Sequence, residues 1–279
     1  MGLAGYELGR GWWRWAFYGV GMQTLNDRIG VITGASAGIG LAIARQFVAA
    51  GARVVINGRR GERLESIAKE LGAEKVACVA GDCADVGVIG AMLEMAEKRF
   101  GRSPDLVVVN AGRGLNGSVM TSDTGQWEEM VRTNLLGAAH LIRMSGTKMM
   151  AESAAMTGPA VLTRSRDIIV LGSTVGRHVS PFSSMYGSTK FAVHGLTEGA
   201  RRELGPKGIR VSLIEPGFVV SEFQGVAGYA EKWVDETFAR IGPPLTPEDI
   251  GRVAMFIAGQ PKGVHVADVL IRPTRQDYP

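Results

Sequence analysis

The sequence predicts an α/β fold built on a doubly wound parallel sheet of about seven strands with helices on both faces. Three observations carry this expectation. Short β-branched runs alternate with amphipathic stretches from Arg28 onward, one glycine-rich octamer joins a strand directly to a helix, and 279 residues at 46% hydrophobic composition suffice to bury one full core.

The strand runs are Ile29–Thr33, Arg53–Asn57, Lys75–Val79, Leu106–Asn110, Ile168–Gly172, Ile209–Ile214 and His265–Ile271. Helical periodicity marks Leu41–Ala50, Gly61–Leu71, Val88–Phe100, a long stretch from Asn134 to about Met156, and Ser184–Leu204. Thr246-Pro247-Glu248-Asp249 opens a last helix through Ala258, with threonine as N-cap, proline at the first helical position and two acids against the dipole. Ala151–Arg166 reads as a surface insertion carrying Arg164 and Arg166. No repeat or linker divides the chain, so residues 22–279 form one domain. Residues 1–21 hold three of the five tryptophans without helical or strand period and read as a disordered leader. The apolar run Ala16–Met22 is too short for a membrane span; an interfacial anchor or a transit peptide are the alternatives to an upstream start or a non-native leader.

Composition excludes several functions. Thirty-one basic against 27 acidic residues give a net charge of +4 spread along the chain, with no basic stripe for nucleic acid. Cys78 and Cys83 form a lone C-x4-C pair without zinc or redox-dithiol spacing, which fits reduced thiols in a cytoplasmic protein. The four histidines are scattered, and no metal is expected.

The chemistry begins at Thr33-Gly34-Ala35-Ser36-Ala37-Gly38-Ile39-Gly40. A strand, a glycine-rich turn and a helix N-terminus make an anion site, because glycines let the backbone approach a pyrophosphate whose charge meets free N–H groups. Gly34, Ser36, Gly38, Ile39 and Gly40 are therefore candidate cofactor contacts in a Rossmann-type dinucleotide fold. The second strand ends in Asn57-Gly58-Arg59-Arg60, with no acid to bind a ribose 2′-hydroxyl. Arg59 is the candidate ligand for a 2′-phosphate, which points to NADP(H); the alternative is an arginine at an exposed turn.

Downstream stand Ser173 and Tyr186-Gly187-Ser188-Thr189-Lys190. Tyr186 and Lys190 share one helix face and can address one ligand. A free tyrosine titrates near ~10, so a role as base needs cations, here Lys190 and an oxidised nicotinamide, to favour the phenolate. In the reductive direction the neutral phenol donates a proton to a developing oxyanion, with Ser173 holding the carbonyl oxygen.

Taken in order, TGASAGIG, Asn110-Ala111-Gly112, Asn134, Ser173, YGSTK and Pro216-Gly217 resemble the short-chain dehydrogenase/reductase family in its single-domain branch, over about residues 25–272. The resemblance implies Tyr186 as catalytic acid/base, Ser173 as the residue orienting substrate, Lys190 on the ribose hydroxyls, and Asn134 maintaining a helix irregularity and a water in the proton path. It further implies Asp82 at the adenine, Asn110 and Gly112 along the cofactor cleft, and Pro216, Gly217, Val219 and Ser221 near the nicotinamide, with serine where many members carry threonine. It also implies a homo-oligomer, a dimer or tetramer. Two departures are Ser36 and Ala37 where NADP-preferring relatives often carry a basic residue, and the ending VHVADVLIRPTRQDYP, which is similar to members acting on hydroxy acids, hydroxy amino acids and ketones.

The expected activity is an NADP(H)-dependent interconversion of a carbonyl and a secondary alcohol on a small ketone or alcohol substrate. The alternatives are a catalytically silent NADP(H)-binding sensor or scaffold, disfavoured by the intact Ser173, Tyr186, Lys190 and Asn134, and an epimerase or dehydratase, for which the chain has no room for a second domain. Arg113, Asn116, Arg177, His178, Phe182 and Met185 are expected at the pocket border, with a basic edge, and Phe218–Phe238 as its cover. Within that cover, Val219–Ile241 reads as a lid of two short helices carrying Phe223, Tyr229, Trp233 and Phe238.

Overall fold

Seven parallel strands, β1 (Ile29–Ile32), β2 (Arg53–Gly58), β3 (Val76–Ala80), β4 (Leu106–Val109), β5 (Asp167–Leu171), β6 (Arg210–Pro216) and β7 (Asp268–Ile271), pair in the order β3-β2-β1-β4-β5-β6-β7. The computed structural model describes residues 24–154, 156–178 and 180–277, and the leader expected over 1–21 lies outside them. Because side chains alternate across a strand, neighbouring residues feed two different cores. Ile32, Val54, Ile56, Leu106 and Val108 pack beneath helices α1 (Gly38–Ala49), α2 (Gly61–Leu71) and the late helix Pro247–Ala258. Val31, Val55, Val107 and Val109 pack against α3 (Val86–Phe100) and two further helices on the opposite face. Strands covered on both faces have no polar side to show, which is why Ile29–Ile32 and Leu106–Val109 are apolar and fully buried.

Several stretches depart from the expected boundaries: α1 begins at Gly38, three residues before Leu41, and β6 runs on to Pro216. The long central helix begins before Asn134: α4 (Trp127–Val131) runs through a π-turn over Arg132–Leu136 into α5 (Gly137–Glu152). α3 starts two residues earlier than expected because Asp85 caps it, accepting the Gly87 and Val88 N–H groups at 2.7 and 3.1 Å. β7 is shorter at its start, since the His265 ring bonds the Val211 carbonyl at 2.9 Å instead of extending the ladder. Helix α6 (Ser184–Leu204) has the expected limits. The expected cover resolves into α7 (Phe223–Val226) and α8 (Glu231–Ile241), and α9 (Pro247–Ala258) opens on a capping box between Thr246 and Asp249. Among the described residues no helix is long and apolar enough to cross a membrane.

Ala151–Arg166 lies at the surface, as expected, and is anchored at its C-terminal end. After α5 ends at Glu152, a 3-10 turn over Gly158–Leu162 returns the chain to the N-terminal edge of the sheet. There Arg166 is buried and the Arg164 Nε donates to Asp105 at 2.9 Å. Asp105 also accepts from Arg28 (2.9 Å) and Arg102 (2.7 Å), while neighbouring Asp167 accepts from Arg28 and Arg210, both at 2.7 Å. Two buried carboxylates thus hold arginines from four segments. Removing one charge leaves buried Arg28 with Asp167 as its remaining carboxylate, so Asp105→Asn is expected to destabilise the fold by about 3 kcal/mol, read by chemical denaturation. The cluster lies at the opposite end of the strands from the cleft described next, so cofactor affinity of the folded variant should stay unchanged.

Candidate functional site

All seven strands run the same way, so their C-terminal ends share one edge, and the strand order reverses direction between β1 and β4. A crevice opens at such a switch point. Here it is a cleft of about 950 Å³ lined by residues from the turns after β1, β2, β4, β5 and β6.

On the β1 side, Thr33 leads into a turn in which Gly34 has φ of 65°, the left-handed region that favours glycine. A Cβ on Gly40 would stand 2.5 Å from both Asn110 Nδ2 and the Gly34 carbonyl, so only glycine lets α1 start so close to the turn. Asn110 closes the arrangement by donating to the Thr33 carbonyl at 2.8 Å. The first turn of α1 has Ala37 as N-cap, no side-chain cap and no acid, which leaves its N–H groups and positive dipole end facing the cleft. At the end of β2, Asn57 lines the same cleft, its buried Oδ1 without a hydrogen-bond partner among the described residues. An uncapped helix start and an orphaned polar atom on one wall fit a dinucleotide.

Of the residues expected at the cofactor, Gly34, Ser36, Gly38, Ile39, Arg59, Asp82, Asn110, Gly112, Lys190, Pro216, Gly217, Val219 and Ser221 line the cleft, and Gly40 stands behind it as a packing position. Arg59 is exposed, with Glu129 3.9 Å away. Arg60 beside it, the second arginine of the turn, donates to Ser36 Oγ at 3.3 Å and Glu222 at 3.1 Å. Asp82 pairs with Arg132.

On the β5 side, Ser173, Tyr186 and Lys190 come together. Ser173 follows the β5 end, and Tyr186 and Lys190 lie in the first turns of α6, where burial leaves each under a tenth exposed. Lys190 Nζ donates to the Leu171 carbonyl at 2.8 Å and sits 5.9 Å from the Tyr186 ring centre. Asn134 lies behind the cleft wall at the centre of the π-turn. It donates to the Arg113 carbonyl (2.9 Å) and Thr189 Oγ1 (3.0 Å) and accepts the Arg113 N–H (2.8 Å), while Thr189 donates to the Tyr186 carbonyl at 2.7 Å. One buried amide thereby ties the β4 turn to the helix carrying Tyr186.

A role for Tyr186 as base was expected to need two cations, Lys190 and an oxidised nicotinamide. In the protein alone burial pushes Tyr186 up, outweighing the hydrogen bond with Ser173, and burial pushes Lys190 down to about 8. The protein by itself therefore holds Tyr186 as a neutral phenol, the form that gives up a proton.

The expected basic edge also dissolves. Arg113 lines the cleft but is engaged by Glu129 and Gln126, and Arg177 turns away from it onto buried Glu215. Asn116 holds the Ala227 carbonyl at 2.8 Å through its backbone N–H, Met185 packs beside Leu115 and Met130, and exposed His178 does not line the cleft. Phe182 does line it. Aromatic rings form the substrate-side wall: Phe223 lies 5.6 Å from Tyr186, and Trp233 stacks on Tyr229 at 4.9 Å and lies 6.0 Å from Phe218.

Fold and cleft together define a nucleotide-binding oxidoreductase of the short-chain type. The family model described as short chain dehydrogenase matches residues 28–231, and the chain belongs to that family. An uncharacterized oxidoreductase of Staphylococcus saprophyticus is 32% identical over 255 residues, covering 90% of this chain and all of the relative (100%). Among solved structures, the closed form of a serine dehydrogenase complexed with NADP+ superposes with a TM-score of 0.78 at 29% identity, covering 90% of this chain and 96% of the other. A 3-ketoacyl-(acyl-carrier-protein) reductase from Brucella melitensis complexed with NADH gives 0.79 at 25% identity, covering 90% and 99%.

Proposed function

We propose that this protein is an NADP(H)-dependent oxidoreductase that interconverts a carbonyl and a secondary alcohol on a small molecule. The convergence of Ser173, Tyr186 and Lys190 beside the uncapped start of α1 carries this reading. The nicotinamide, when bound, supplies or accepts the hydride. The Ser173 hydroxyl holds the substrate oxygen, and the Tyr186 phenol gives that oxygen a proton as it becomes an alkoxide. The Lys190 ammonium holds the ribose and stabilises the phenolate left on Tyr186. Asn134, locked by Arg113 and Thr189, keeps the π-turn open to a water that returns the proton. The aromatic wall of Phe223, Tyr229 and Trp233 gives the substrate an apolar surround that excludes water. Cofactor bound by related structures supports a nicotinamide dinucleotide, and the residues after β2 favour the phosphorylated form.

That preference rests on charge. Glu222 already engages Arg60 and Arg63, whereas among the described residues Arg59 has only Glu129 at 3.9 Å, so Arg59 is the guanidinium best placed to take a 2′-phosphate. A charge-assisted pair at a solvated site contributes about 2 kcal/mol, hence a preference for NADPH of roughly 30-fold in kcat/KM at fixed ionic strength. Arg59→Ala should erase most of it without affecting NADH, and Arg59→Ala with Arg60→Ala should erase the remainder. Equal kcat/KM for the two cofactors in the unmodified protein would return Arg59 to an exposed turn residue. Introducing an acid at Gly58 is a poor route to reversal, because a Cβ there would stand 3.0 Å from the Ser36 side chain.

A further inference from the structure

Behind Ser173, on the side away from the cleft, lies a polar chain leading to the buried Glu215 that the reaction outlined above does not use. The Ser173 backbone N–H donates to His194 Nε2 at 3.3 Å. The other ring nitrogen, Nδ1, faces Glu215 Oε2 at 3.6 Å, and Glu215 is fully buried beneath the Arg177 guanidinium, which binds both carboxylate oxygens. The imidazole fits because two glycines make room for it. A Cβ on Gly172 or on Gly176 would come within 2.4 Å of the ring.

The chain joins four places that must keep register: the β5 end (Ser173), the turn after it (Arg177), α6 (His194) and the last residues of β6 (Glu215), just before Pro216-Gly217. An N–H needs a lone pair to donate to. His194 must therefore be unprotonated at Nε2 and carry its proton at Nδ1, the tautomer that Glu215 selects.

We propose that His194 is a positioning residue for the reaction: its Nε2 lone pair, backed by the Glu215–Arg177 pair, anchors the Ser173 backbone and so fixes the hydroxyl that sets the substrate oxygen against Tyr186. The inference rests on the roles given above to Ser173 and Tyr186. Protonation of His194 places a second donor against the Ser173 N–H, and the Ser173 segment has to move. The groups facing the ring are Glu215 from β6, Arg177 from the turn after β5, Lys190 from its own helix and Asp268 from β7. Burial outweighs the two carboxylates and holds the imidazole below its ordinary 6.5, with Lys190 and Arg177 adding to that effect. The anchor is thus intact at neutral pH and is lost in acid.

The test follows the Ser173 amide nitrogen and the His194 ring by NMR in the full chain, titrated from about pH 8 to 5. The two resonances are expected to move together, with one midpoint below that of a free histidine. Arg177→Met removes one of the two cations facing the imidazole and leaves Glu215 unpaired beside it, and should move both midpoints upward. His194→Gln, whose amide oxygen reaches the Nε2 position but does not titrate, should leave the Ser173 amide insensitive to pH. With NADPH and diacetyl as carbonyl probe, His194→Gln should keep kcat within about threefold and lose the acid limb of the pH profile, whereas His194→Leu should lower kcat about 10- to 30-fold with NADPH affinity unchanged. Independent titration of Ser173 and His194, or wild-type kcat in a folded His194→Leu, overturns the proposal. If His194→Leu does not fold, the Gln and Arg177 variants decide it. Linked titration in a protein that oxidises no NADPH with diacetyl or a wider ketone panel would uphold the anchor and overturn the reductase reading.

Discussion

Replacing Tyr186 by phenylalanine is expected to lower kcat by about 10³- to 10⁴-fold, because it removes the proton donor and nothing else of comparable size. The ring itself stays. Tyr186 packs among Leu115, Met130 and Val175 and against Phe223, contacts that phenylalanine keeps, so the melting temperature and the Kd for NADPH should be close to those of the unmodified protein. Ser173→Ala should cost less, about 10²-fold, since it weakens the orientation of the oxygen but leaves the donor. NADPH oxidation against a ketone panel, with cofactor affinity measured separately by nicotinamide fluorescence, distinguishes these effects. Turnover within tenfold of normal in Tyr186→Phe would remove Tyr186 from the chemistry.

The two arms of the site were legible for a local reason. Thr33–Gly40 encodes a strand end, a turn and a helix start in contiguous residues, and Tyr186 and Lys190 meet by helical spacing alone, so neither needs the tertiary fold to be known. The direction of the Tyr186 shift was not legible, because the burial that dominates it comes from Leu115, Met130, Val175 and Phe223, on other elements. His194 was missed for the same reason: Ser173, His194 and Glu215 become neighbours only when β5 and β6 pair side by side under α6. Arg177 and Arg113 illustrate the converse error. Each looked like a charge available to substrate until the fold supplied its carboxylate. Ala151–Arg166 reads as a loop in sequence, and only the fold, which brings Asp105 to the start of the strands, shows what Arg164 holds, while Arg166 turns back onto the Val161 carbonyl.

Lys190 carries the other large effect, and two opposite signs make it informative. Its ammonium is buried, and among the described hydrogen bonds it donates to the Leu171 carbonyl alone. Burial lowers its pKa from 10.5 to about 8. At neutral pH the group remains charged, and that difference corresponds to a penalty of about 3 kcal/mol on the charged form in the folded state. Lys190→Met removes the charge while keeping an apolar stem of similar length, so the cofactor-free protein should become more stable by about 1–3 kcal/mol, or roughly 3–8 °C in melting temperature. The pH dependence follows from linkage. The folded pKa lies below the unfolded one, so this group's contribution is fully present above 10.5 and is lost as pH falls toward 8. Tyr186 has the opposite sign: its raised folded pKa sustains stability below its ordinary 10.0, which is lost as the pH climbs through the folded value. A comparison confined to about pH 8 to 9.5 stays below that range, and subtracting the Lys190→Met curve cancels the thiols and other groups common to both proteins. Wild-type stability should rise with pH relative to the variant across this window. Activity should move the other way, falling at least about 100-fold, with weaker NADPH binding from the lost ribose contact. A Lys190→Met protein that is less stable than wild type, with no difference in pH slope, would show that the ammonium is paid for by contacts in the fold and is not held at a cost for the reaction.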